Sequence, residues 1–153
     1  MVEIGAGGGS VAYVDDLQQI RVGPESAGSE PGPACYGIGG EHPTVTDADL
    51  LLGKLDPEGF AGGSMQLDKQ ASHVAIGREI STRLGGTAEE AAYAISEVVD
   101  ENMANAARMH AVESGCELEN YTMIAFGGAA PVHAARLCQK LGVDSLLIPP
   151  GAG

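Results

Sequence analysis

The chain is 153 residues long and 44% apolar, with two Phe, four Tyr and no Trp, so its core must be packed from Ala, Val, Ile and Leu. A formal charge of −13, with only eight Lys and Arg scattered along the sequence, repels phosphate backbones and anionic lipid and argues against nucleic-acid or membrane-surface binding. No apolar run approaches the roughly 18 residues of a membrane span, and the N-terminus lacks the basic-then-apolar layout of a signal peptide, so the expected setting is the cytoplasm. Cys35, Cys116 and Cys138 are odd in number and lack metal-ligand spacing, which implies reduced thiols and neither a disulfide framework nor a zinc site.

Val2-Glu-Ile-Gly-Ala-Gly-Gly-Gly-Ser10 reads as a strand fragment running straight into a glycine-dense turn, an unusual way for a domain to begin. Gly7, Gly8 and Gly9 let the backbone approach something closely and Ser10 offers a hydroxyl. Either a ligand or a neighbouring backbone satisfies that pattern, and the Lys of a P-loop does not follow. Val11–Val14 and Gln19–Val22, around the polar Asp15–Gln18, predict a β-hairpin. Residues 23–43 hold most of the prolines and form an ordered loop or lid. Cys35 lies within it, with no His or Asp close in sequence to activate it as a nucleophile.

A helix starts next, with Thr46 or Asp47 as N-cap and Leu50–Leu52 behind it. Asp47 and Asp49, with His42 nearby, are also candidate metal ligands, although i, i+2 carboxylates diverge on a helix. Asp68 caps a helix running to about Leu84, and Gly85-Gly86 stops it. Thr87-Ala-Glu-Glu90 has capping-box spacing and opens a helix to about Ser114, roughly 40 Å long at 1.5 Å per residue. The stripe Ala91, Ile95, Val98, Val99, Met103, Ala106 and Val112, widened by further alanines, predicts burial on more than one side and hence self-association or a partner. Asn102, Asn105, Arg108 and His110 fall in its second half, where solvated or interdomain roles are expected. His73, His110 and His133 read as structural, with His133 expected to orient the glycine turn that precedes its helix and not to act as a catalyst.

The last third reads as strand, turn, helix, strand. Tyr121–Phe126 predicts a buried strand, and Gly127 and Gly128 supply positive φ. Pro131 fits the first turn of a helix from about Ala129 to Lys140, Gly142 closes it, and Val143–Ile148 forms a second strand ending at Pro149-Pro150. So short a βαβ unit makes the strands parallel, with ligands expected beyond their C-terminal ends. The unpaired amides at the helix start suit a phosphate or carboxylate; the plain alternative is an ordinary strand-to-helix turn.

Five ordered blocks then stand out: Ile-Gly-Ala-Gly-Gly-Gly-Ser at 4–10, Ser-Ala-Gly-Ser-Glu-Pro-Gly-Pro-Ala-Cys-Tyr-Gly at 26–37, Pro-Thr-Val-Thr-Asp-Ala-Asp-Leu at 43–50, Asn-Met-Ala at 102–104 and Phe-Gly-Gly-Ala-Ala-Pro-Val-His-Ala at 126–134. Together they resemble the hydantoinase A/5-oxoprolinase family across essentially the whole chain. The resemblance implies an α/β fold, part of an actin-like ATPase (ribonuclease-H-like) lobe with a long buried helix and a terminal βαβ unit. The chain is then expected to form a single partial domain, the C-terminal part of the catalytic region.

It further implies ATP-dependent hydrolysis of cyclic amides, with ATP and Mg²⁺ as cofactors, and carboxylase subunits for acetone or acetophenone as the alternative chemistry. The implied partners are a second, B-type subunit or the rest of the same subunit, in an oligomer. Gly7, Gly8, Gly9, Ser10, Gly127, Gly128 and Ala129 are the implied nucleotide-facing residues, and no catalytic residue is assigned. Two departures qualify the match: Ala130 replaces the last glycine of the usual Phe-Gly-Gly-Ala-Gly-Pro, and the family's Asp-x-Gly-Gly-Thr phosphate loops have no counterpart here. A fragment that contributes part of the cleft, or a catalytically silent one that only folds or binds a partner, is therefore expected.

Overall fold

The computed structural model describes residues 5–152, and the chain divides into two compact units, Gly5–Val98 and the stretch from Val99 onward. The strand fragment expected at Val2–Ile4 lies outside the described residues.

In the first unit, strands β1 (Ser10–Val14) and β2 (Ile20–Ser26) form the predicted antiparallel hairpin, with Ala12 opposite Val22 and Val14 opposite Ile20. Asp15 fixes its turn, because one carboxylate oxygen accepts from the Leu17 and Gln19 amides at 2.9 Å and the other pairs with Arg21 at 2.7 Å. An isolated bridge joins Val11 to Thr44, so the hairpin abuts the start of helix α1 (Val45–Leu51). The N-cap of α1 is Thr44, two or three residues earlier than expected. Thr44 is extended, and its side chain accepts from the Asp47 amide while the Asp47 carboxylate returns to the Thr44 amide.

Helix α2 (Lys69–Ile76) is capped by Asp68 as predicted and continues through one turn of π geometry, Gly77–Ser81, into the short α3 (Thr82–Leu84). The Thr82 amide reaches back five residues to the Gly77 carbonyl, and Ile76 and Ile80 on either side are fully buried. Gly85 and Gly86, at φ 80° and 85°, end the run. The core is small and aliphatic, as the composition requires: Ala12, Val14, Val45, Leu50, Ile76, Ile80 and Ile95 are all buried.

Helix α4 (Ala88–Ser114) is continuous over 27 residues and opens on the predicted capping box, with the Thr87 amide 2.8 Å from Glu90 Oε2 and the Glu90 amide 3.1 Å from Thr87 Oγ1. Its burial is one-sided. Ala91, Ala92, Ile95, Val99, Ala104 and Ala111 are buried, whereas Tyr93, Met109 and Val112 are exposed, so the expectation of burial on more than one side is corrected for the described residues. Alanine on the flanks made the apolar stripe look wider than the face that packs.

The second unit contains the predicted βαβ arrangement. Strands β3 (Thr122–Ile124) and β4 (Ser145–Leu147) pair in parallel, Thr122 with Ser145 and Ile124 with Leu147, around helix α5 (Ala130–Leu141). Pro131 sits in the first turn of α5 and Gly142 closes it at φ 67°. Both strands are shorter than expected, and β3 is not a buried strand. Met123 faces α5, with its sulfur 3.6 Å from Cys138 Sγ, while its neighbour Ile124 points the other way and is exposed together with Phe126 and Leu147. A parallel sheet ordinarily has both faces covered; here α5 covers one. Among the described residues no helix is long and apolar enough to cross a membrane.

In the second unit the exposed large apolar side chains thus gather on the β3–β4 sheet and towards the end of α4. The isolated chain is expected to bind a hydrophobic dye and to self-associate, and the double substitution Ile124→Lys, Leu147→Lys should reduce both. Sedimentation over a wide concentration range checks this; a monomer that binds no dye would count against it.

Candidate functional site

The two glycine turns singled out by sequence have different local reasons. In the first, Ser10 Oγ accepts from the Gly7 amide at 3.0 Å and donates to the Gly5 carbonyl at 3.3 Å, and the side chain is buried. The Gly8 carbonyl accepts from the Thr46 amide and the Gly9 carbonyl from the Ala27 amide, both at 2.8 Å. A Cβ on Gly8 would lie 2.7 Å from Thr46 Oγ1, and one on Gly9 3.0 Å from Ser26 Oγ. Gly8 and Gly9 are therefore glycine because the chain crosses itself there, and Ser10 closes the turn; only at Gly7 is the space beside the backbone open.

The second turn lies between β3 and α5. Gly127 takes φ 93°, which its sequence position predicts, but Gly128 does not take positive φ. The Gly127 amide donates to the Ala152 carbonyl, which brings the segment after β4 beside the segment after β3. Among the described residues, a Cβ on Gly127 or on Gly128 would meet nothing within 4 Å. For Gly128, neither backbone conformation nor packing among the described residues calls for glycine. What an absent side chain provides there is access to the backbone for something from outside. Ala129 is the N-cap and makes no side-chain cap bond; Pro131 brings no N–H to the first turn of α5, and the Val132 amide donates to the Ala129 carbonyl.

After this turn comes a pair of which the sequence pointed only to His133, as a residue that orients the turn, and not to its partner Asp100. His133, in the first half of α5, is fully buried, and its Nδ1 lies 2.7 Å from Oδ1 of the equally buried Asp100 on α4. The available signal was an aspartate beside Val98 and Val99, on the inward helical row of Ser96 and Ala104. The other end of α5 is held by Arg108, which donates to the Lys140 carbonyl and to Glu101 at 2.8 Å, and by Lys140, 3.0 Å from Glu101. Arg108 thus anchors a helix. Asn102, Asn105 and His110 are exposed, and His73 faces Glu89 at 3.9 Å.

Asp47 and Asp49 do not converge. The Asp47 carboxylate is fully buried and accepts five hydrogen bonds: from the Ala34, Cys35 and Thr44 amides at 3.2, 2.8 and 2.9 Å, and from the Thr44 and Ser72 hydroxyls, each at 2.8 Å. Asp49 turns instead to Lys54, 3.1 Å away, whose ammonium also donates to Ser96 at 2.6 Å. His42 sits against Glu79 at 3.2 Å. Among the described residues no group of three or more His, Cys, Asp and Glu is arranged to hold a metal. Burial, and then the neighbouring Asp47 charge, push the Cys35 thiol far above its ordinary range, so Cys35 is inert in this setting.

A hydantoinase/oxoprolinase family model matches residues 1–153. The chain belongs to the hydantoinase/oxoprolinase family. The alpha subunit of caprolactamase from Pseudomonas jessenii is 44% identical over 146 residues, covering 95% of this chain and 21% of the relative. The gamma subunit of acetophenone carboxylase from Aromatoleum aromaticum is 47% identical over 137 residues, covering 89% and 19%. The crystal structure of the ATP-dependent caprolactamase superposes over 100% of this chain and 22% of its own with a TM-score of 0.92. Nucleotide-free acetone carboxylase superposes over 97% and 21% at 33% identity and a TM-score of 0.90. The chain therefore spans about a fifth of the length of these hydantoinase/oxoprolinase relatives and has the mixed α/β fold of that part of them.

Two expectations test the local roles. Asp47→Ala would leave several buried donors unpaired and should lower stability by at least about 3 kcal/mol in denaturant titration, with Asp47→Asn losing less; a loss below about 1 kcal/mol would deny the carboxylate this role. The Arg108 guanidinium first, and then Lys140, hold the Glu101 carboxyl below its usual range. A depressed carboxyl contributes stability above its unfolded value and loses it as pH falls through the folded value. Glu101→Gln should therefore melt below the parent at neutral pH, and the gap should close in acid below the carboxylate range.

Proposed function

We propose that this chain is part of an ATP-dependent cyclic amide hydrolase of the hydantoinase/5-oxoprolinase type and that it contributes one wall of the nucleotide cleft. The observation that carries the reading is the strand–Gly127–Gly128–helix turn, where the glycine at 128 leaves the backbone open with no contact among the described residues that calls for it. Amides at a helix start favour anionic oxygens, and in α/β sheets ligands lie beyond the C-terminal ends of parallel strands, where this turn stands. The caprolactamase relative supports the substrate class, because a lactam is a cyclic amide, and both structural relatives are described as ATP-dependent.

In this reading the chain is a single partial domain, the C-terminal part of the catalytic region, and belongs to an actin-like lobe. Gly127 shapes the turn, Gly128 admits the phosphates, and the amides around Ala129 orient them, with Gly7 as the open position of the other glycine turn. ATP, when bound, would supply a phosphoryl group to the amide oxygen, opening the amide carbon to water so that the C–N bond breaks, the amine leaves and phosphate is released. Mg²⁺ does not fit Asp47 and Asp49, whose carboxylates are committed to five internal donors and to Lys54. The remaining length of the family polypeptide, and a B-type subunit in an oligomer, complete the site. We place the protein in the cytoplasm, in keeping with its three free thiols.

A carboxylase subunit acting on a ketone is the second reading, favoured by the 47% identity to the acetophenone carboxylase subunit. ATP turnover by the complete assembly with 5-oxoproline, hydantoins or caprolactam, against acetone or acetophenone with bicarbonate, separates the two. The 153-residue chain by itself is expected to show no ATPase activity. In the complete protein, Gly128→Val, checked as folded by its melting temperature, should lower nucleotide affinity by about tenfold, a loss of about 1.4 kcal/mol. Unchanged affinity by calorimetry would refute the assignment of this turn.

A further inference from the structure

Helix α5 is tied to α4 at both of its ends, but by unlike means. At its C-terminal end the ties include the Arg108–Glu101 and Lys140–Glu101 pairs, which share a half-exposed Glu101. At its N-terminal end it is tied by a hydrogen-bonded pair with no access to solvent, Asp100–His133 at 2.7 Å, with side chains 1% and 0% exposed. Burying such a pair costs desolvation that apolar side chains of similar volume avoid, so it is a poor way to obtain stability alone. What it adds is direction, because a bond to Nδ1 fixes the ring and, through the ring, the first turns of α5. That stretch begins at Ala129, whose carbonyl accepts from the Val132 amide at 3.1 Å, directly after the glycine turn.

We propose that Asp100 is a positioning residue for nucleotide binding: acting through His133, it sets the aim of the Gly128 and Ala129 amides without touching the ligand. The proposal rests on the reading of that turn given above. It predicts that pair geometry and affinity are linked even when stability is unchanged.

The test uses the complete protein, calorimetry with ATP, and melting temperatures recorded in parallel. His133→Asn keeps a nitrogen close to the place of Nδ1 and should retain affinity near the parent's. Asp100→Ala should weaken binding roughly tenfold, the lower end of what partners standing behind a ligand-contacting group contribute. Because that variant leaves His133 buried without its carboxylate, the deciding protein is the double substitution Asp100→Val, His133→Leu, in which an apolar pair of similar volume replaces the polar one and folding is preserved. It should melt near the parent and still bind roughly tenfold more weakly. Parent-like affinity in the folded double variant overturns the proposal, as does an Asp100→Ala protein with a lower melting temperature but unchanged affinity. Gly128→Val keeps the two ideas apart: if it too leaves affinity unchanged, the turn was misread; if it alone weakens binding, only the role of Asp100 falls.

Discussion

The first unit depends on one carboxylate. Asp47 gathers donors from the Ala34–Cys35 turn, from the Thr44 cap and from Ser72 on α2, three segments that otherwise share few backbone hydrogen bonds. A long proline-rich loop cannot satisfy its own amides in a ladder, so a buried segment of it needs an acceptor from elsewhere. Asp47 is that acceptor, and a carboxylate, with about four lone-pair sites, is the side chain able to take so many donors at once. The Cys35, Leu50 and Leu67 cluster, with Tyr36 and Phe60 against it at 5.8 Å between ring centroids, packs around the loop once its backbone is fixed in this way.

How far the sequence disclosed this differs element by element. The hairpin, the Asp68 and Thr87 caps, the Gly85-Gly86 stop and the βαβ order were legible because each rests on local chemistry: alternation, a side-chain acceptor at a fixed offset, or a glycine at positive φ. The start of α1 was misplaced although Thr44-Val-Thr-Asp47 has capping-box spacing, because two further cap-forming residues compete within four positions. The hub role of Asp47 was hidden for a different reason. Its partners lie 12, 13 and 25 residues away, and no periodicity encodes such contacts. Exposure of β3 was equally out of reach, since a short apolar run looks the same whether one face or both are covered.

The glycines make the same point about sites. Both turns read alike, as close approaches of backbone to something unseen. At Gly8 and Gly9 that something is this chain's own Thr46 and Ser26, while at Gly128 it is open space. Glycine content locates intimacy and leaves the visitor unnamed. The Asp100–His133 pair shows the converse: two residues that composition treats as ordinary helix members become informative only when both are found without access to water.

The π turn at Gly77–Ser81 has an evolutionary consequence. One more residue is wound into that turn than α geometry needs, so the faces of the helix before and after it are out of phase by about 100°, the angle of one residue. Both Ile76 and Ile80 still reach the core, which places the slack between them on the outer side. A homologue one residue shorter in this segment would rewind it as plain α-helix and keep Thr82–Leu84 and everything after it in register. Length variation at this point is therefore structurally silent, and an alignment gap there would carry no message about substrate.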